Sequence, residues 1–130
     1  MKTLVIIVTV LALTTVVYSF NLARLQKFTN DFVKCSEEMG MSPAQPNVES
    51  VKCATIRDGE VLNENLEYIR LQALQRLEDI ISDADKLTQA KAIYNKCYED
   101  VVRTGITGEK QTTQIITCVM PMIPLIDKPQ

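Results

Sequence analysis

Apolar residues recur along this chain at spacings of three and four, the period of a helix with one buried face. Leu22, Leu25, Phe28, Phe32, Cys35 and Met39 make the first stripe, which Gly40 ends. Ser42 before Pro43 reads as a helix cap with proline in the first turn, and Val48, Val51 and Cys53 fall on the short second helix that follows. Asp58-Gly59 is a turn. A long third stripe runs through Leu62, Leu66, Ile69, Ala73, Leu77 and Ile80. Asp83-Ala84-Asp85 interrupts it and gives the next helix an acidic start, which suits the positive end of the helix dipole. Leu87, Ala90, Tyr94, Cys97 and Val101 form the fourth stripe, closed by Gly105. Thr107 is placed to cap a last helix whose inner face is Ile115, Ile116, Val119 and Met120. No segment alternates like a strand, so the predicted fold class is all-α.

The C-terminal pattern departs from this periodicity. Val119 to Ile126 is almost wholly apolar, yet contains Pro121 and Pro124. Proline removes a backbone donor and clashes with the preceding helical turn, so an extended tail is expected. Such a tail has to bury itself over a cavity of its own bundle, over the core, or on another chain.

The N-terminus has a different character again. Lys2 precedes an uninterrupted run of apolar residues and threonine from Leu4 to Val17, 14 positions long. A helix needs roughly 20 to span a bilayer, and a polar, amphipathic sequence follows at once. This reads as a secretion signal (residues 1–19) cut after Ser19. Residues 20–130 then form a single domain. No stable membrane insertion is expected. Four cysteines, Cys35, Cys53, Cys97 and Cys118, entering an oxidising compartment imply disulfides. Of the three connectivities open to four cysteines, spacing favours Cys35–Cys53 and Cys97–Cys118. Each loop is worth on the order of 3 kcal/mol in the chain-entropy account.

Charge and composition mainly exclude. Of 14 basic residues one, Lys2, lies in the signal, which leaves 13 against 16 acidic ones. There is no basic face for nucleic acid and no polybasic segment for anionic lipid. The chain has no histidine, which removes the Ser/His/Asp and Cys/His nucleophile systems. With no CxxC pair either, a zinc site is not expected. There is no phosphate-binding glycine loop. Carboxylate pairs such as Glu37-Glu38, Asp83/Asp85 and Glu99-Asp100 fall near helix ends and on polar faces, where solvated charge is the default. The expectation is a protein that is no enzyme and carries neither cofactor nor metal. Phe28, Phe32, Tyr68, Tyr94, Tyr98, Met39, Met41, Met120 and Met122 supply large, adaptable apolar surface, a pattern that serves a plain core as readily as a ligand wall.

The order of elements and cysteines resembles the insect odorant-binding protein superfamily, in its four-cysteine variety. It is more closely similar to the ant venom allergen 2/4 family with that fold, through VKCATIRDGEV (Val51–Val61), IISDADKLTQAKAIYNKC (Ile80–Cys97) and QTTQIITC (Gln111–Cys118). In the six-cysteine pattern a further bridge would join positions near Glu49 and Glu109. The gap between Cys35 and Cys53 is shorter than is common there. Cysteines used for covalent dimers in the venom family are absent, so any homodimer would be noncovalent.

The resemblance implies five to six helices around an apolar cavity, stapled by the same two bridges. It also implies a secreted carrier, in venom or sensillum lymph, of a small hydrophobic ligand: an odorant, a pheromone, or a venom lipid or alkaloid. The expected lining is Phe28, Phe32, Leu66, Ile69, Leu77, Tyr94, Ile115 and Val119, with Met122 and Ile123 as a lid and a hydroxyl of Tyr68, Tyr94 or Tyr98 orienting the ligand's polar end. The alternative is a venom toxin or signalling ligand with no cavity.

Overall fold

A computed structural model of the chain describes residues 20–128; the signal segment and its cut after Ser19 lie outside them. Five α-helices follow one another: α1 (Leu22–Glu38), α2 (Val48–Asp58), α3 (Arg70–Ile80), α4 (Ala84–Arg103) and α5 (Gly108–Val119). A short 3₁₀ helix, Met120–Leu125, ends the series. The fold is all-α, with two disulfides, Cys35–Cys53 and Cys97–Cys118. The first closes α1 on α2 and the second closes α4 on α5. The core is built where the stripes converge, on Leu25, Leu77, Ile80, Ile81, Ala90, Tyr94, Ile115, Val119 and Met122.

Local chemistry sets the helix ends, and three of them differ from expectation. The second helix starts not at Ser42 but at Val48. Asn47 and Ser50 form a reciprocal capping box there, at 3.0 and 3.1 Å, whereas Ser42 only supports a turn by accepting from the Ala44 amide. The third stripe is helical only from Arg70. The Asn63 side chain accepts from the amides of Asn65 and Glu67 at 2.9 and 3.0 Å, a competition with helix that asparagine wins readily. Leu62 then pairs with Tyr68 in a single β-bridge, and Leu66 turns left-handed at φ 62°. Thr107 does precede the last helix, but its side chain makes no cap. Glu67 reaches in from the 63–68 loop instead and accepts from the Gly108 amide at 2.8 Å.

The break at Asp83 falls as expected, with its carboxylate accepting from the Lys86 amide. Gly59 ends α2 at φ 78°, a left-handed conformation that glycine adopts without steric cost.

The tail corrects the sequence reading. Residues 120–125 are not extended but coil as a 3₁₀ helix. Pro121 falls in its first turn, where a missing donor costs nothing, and the fixed proline φ suits the helix. The tail buries Met122 in the core and ends with the Asp127 amide donating to the Ile80 carbonyl at 3.0 Å. At the other end of the domain, the Asn21 amide donates to the Asp79 carbonyl at 2.8 Å. The last carbonyls of α3, which an isolated helix leaves unpaired, are thus taken by both ends of the domain.

Candidate functional site

An apolar cavity of about 70 Å³ lies where all five helices and the tail meet. α1 contributes Phe28. α2 contributes Val51, Thr55 and Asp58, whose spacing of four and three puts them on one face. Ala73, Arg76, Leu77 and Ile80 repeat that geometry on α3. Tyr94 comes from α4, Val119 from the end of α5, and Met122, Ile123 and Ile126 from the tail. Val61 and Tyr68 arrive from the loop ahead of α3. A second, outer groove of about 370 Å³ runs along α1 and the tail, lined by Phe28, Phe32, Pro46, Val51, Ile123, Pro124 and Ile126 among others.

One end of the cavity is polar. Arg76 donates through Nε and Nη2 to both oxygens of Asp58, at 2.8 and 3.0 Å, through Nη1 to Asp79 at 2.9 Å, and through Nη2 to Glu60 at 2.8 Å. The side chains of Arg76, Asp58 and Asp79 are only 11%, 8% and 12% exposed. Burial works against the Arg76 charge, but the carboxylates outweigh it and its pKa is raised. The hydrogen bond from Arg76, then that from Arg24, holds Glu60 below the ordinary glutamate range.

Tyr68 sits next to this network, and Tyr94 packs between Tyr68 and Tyr98. Burial pushes the Tyr68 hydroxyl up to about 12. Tyr94 is 3% exposed, burial raises its pKa as well, and its hydroxyl has no hydrogen-bond partner. The rings of Tyr68 and Tyr94 meet edge to face, with centroids 5.6 Å apart, a favoured aromatic geometry.

Of the residues expected to line a cavity, Phe28, Leu77, Tyr94, Val119, Met122 and Ile123 meet around this one. Phe32 lies in the outer groove. Leu66, Ile69 and Ile115 stand elsewhere. Leu66 is held in the 63–68 loop, its carbonyl accepting from Thr112 Oγ1 at 2.6 Å. Ile69 is 38% exposed at the start of α3, and Ile115 is fully buried in the core. Among the expected polar groups, Tyr68 and Tyr94 reach the cavity, whereas Tyr98 lies beneath the Arg70 guanidinium, 5.1 Å from its ring centre. Near the positions where the six-cysteine pattern has its further bridge, Glu109 binds Lys52, one turn along α2 from Glu49, at 2.5 Å.

Sequence reasoning missed Val51, Thr55, Asp58, Val61, Ala73, Arg76, Ile80 and Ile126 as lining. Arg76 carried a readable signal, because it falls between Ala73 and Ile80 on the apolar stripe. A lone charge inside such a stripe needs buried partners. Asp58 signals only a turn in the sequence, as half of Asp58-Gly59.

No helix among the described residues is long and apolar enough to cross a membrane. A small all-α protein with two disulfides and an apolar cavity at the helix junction is the class that these features define, and it fits the odorant-binding-protein likeness of the sequence. The chain belongs to the ant venom allergen Sol i 2 family, whose model matches residues 34–123. No curated protein and no solved structure matches it. Family membership and the disulfides are consistent with a secreted venom protein.

Proposed function

We propose that this venom-family protein is a carrier for a small hydrophobic molecule, exported after loss of residues 1–19 and acting by binding alone, with no chemical step. The apolar cavity at the helix junction carries the reading. Transfer of a ligand from water into it gains about 25 cal/mol per Å² of apolar surface removed from solvent, and a few placed polar groups set orientation. Thr55, Tyr68 and Tyr94 are those groups here.

The test is displacement of a naphthylamine fluorophore. The protein is expected to bind the dye with enhanced, blue-shifted emission, and small lipids are expected to displace it. An absence of saturable dye binding by the folded, oxidised protein would favour a toxin or signalling ligand without a working cavity.

A further inference from the structure

The inner cavity is too small for a whole ligand of the usual size. Its roughly 70 Å³ is below the roughly 150 Å³ of an engineered apolar cavity that admits benzene. The outer groove is several times larger at about 370 Å³, and Phe28, Val51, Ile123 and Ile126 line both spaces. These side chains are a shared wall, so the two volumes are neighbours that one elongated molecule can occupy together. Both spaces carry polar groups: Thr55, Asp58, Tyr68, Arg76 and Tyr94 line the inner one, and Thr29, Asp127 and Lys128 line the outer one. The inner space differs in holding a buried hydroxyl, that of Tyr94, with no hydrogen-bond partner.

We infer, building on the carrier reading, that the ligand is a long-chain amphiphile with an uncharged hydroxyl or carbonyl head. The head sits inside against Tyr94, and the tail passes Phe28 and Ile123 into the outer groove. The Tyr94 hydroxyl is the anchor because it is buried and unpartnered, and a buried polar group without a hydrogen bond is costly. It stays a neutral phenol, which can donate to a carbonyl or exchange hydrogen bonds with an alcohol.

The charged network selects against ionic heads. Three carboxylates, Asp58, Glu60 and Asp79, share Arg76 and Arg24, which leaves an excess of one negative charge beside the cavity. A carboxylate head would meet that excess and find the Arg76 donors already engaged. An ammonium head would find both Asp58 oxygens already accepting from Arg76.

Dye displacement by dodecanol, dodecanoate, dodecylamine and butanol tests this at neutral pH on the oxidised full-length mature protein. Dodecanol is expected to displace the dye at about tenfold lower concentration than dodecanoate or dodecylamine, and butanol to be far weaker because it leaves the groove empty. Tyr94→Phe, which keeps the ring and its packing, should weaken dodecanol about tenfold, with each displacement constant corrected for the dye affinity measured on the same variant. Phe32→Asp, in the groove alone, should weaken dodecanol and spare butanol. Equal displacement by dodecanol and either ionic analogue, or a Tyr94→Phe protein that binds dodecanol normally, would overturn the inference while leaving the carrier intact. Failure of every amphiphile to displace the dye would overturn both.

Discussion

Two regions of this molecule are held together by different means. The α1–α2 and α4–α5 pairs are closed by covalent bridges, Cys35–Cys53 and Cys97–Cys118. α3, which walls the cavity with Ala73, Arg76, Leu77 and Ile80, has no bridge. It is fixed by the Arg76 network and by the backbone bonds at its C-terminal end. A disulfide acts largely on the unfolded chain and is indifferent to a ligand. An ion-pair network in a cavity wall responds to whatever enters beside it. The difference separates a covalently closed frame, which carries Asp58 on α2 and Tyr94 on α4, from the α3 wall, which is held without a bridge.

The largest effect is expected from breaking that wall. Arg76→Ala leaves Asp58 and Asp79 nearly buried without their counter-charge, and removal of one partner from such a pair costs about 3–5 kcal/mol. Urea denaturation is expected to show that loss, and any folded fraction should bind the dye poorly. Removing the frame instead, with Cys97→Ser and Cys118→Ser together, should cost about 3 kcal/mol yet leave dye affinity in the folded protein close to normal. A frame variant that loses dye affinity as badly as the wall variant would break the comparison.

A smaller effect comes from acid. Glu60 and Glu67 have folded pKa values below the ordinary 4.5, the first through Arg76 and the second through the Gly108 amide and Asn63. Such groups bind fewer protons folded than unfolded. Their stabilisation is therefore present above that value and is lost as pH falls through the folded one. With no histidine in the chain, thermal stability and dye affinity should hold constant from pH 7.5 to 6 and decline only below about pH 4.5. A midpoint above pH 6 in either measurement would contradict this.

The frame was legible in the sequence and the wall only in part. Helix stripes and cysteine spacing report periodicity and proximity, which a one-dimensional pattern carries well, and both disulfides and the break at Asp83 followed from them. Leu62 and Leu66 misled because they continue the helical spacing of α3, while the determinant lies in Asn63, whose short side chain captures two amides. The tail misled because proline was weighed against an α-helix rather than against the tighter 3₁₀ geometry it adopts. Asp58 and Arg76 are 18 residues apart, and no local pattern announces a pair formed across two helices. Phe28, Leu77, Val119, Met122 and Ile123 could be named in advance, whereas Val51, Val61, Ala73, Ile80, Ile126 and the charged end of the cavity could not.

The bonds at the end of α3 also bear on how this domain could be rewired. Asn21 and Asp127 donate to the carbonyls of adjacent residues, Asp79 and Ile80, so the first and last parts of the described residues share one small site. A polypeptide whose ends meet can be closed into a ring without straining its interior, and such domains commonly tolerate permuted termini. A short glycine-serine connection from Asp127 to Asn21, with new ends opened in the exposed turn at Gly40, should give a permuted protein with both disulfides and the same cavity. The order in which the helices are made would change, and the geometry in which they settle would not.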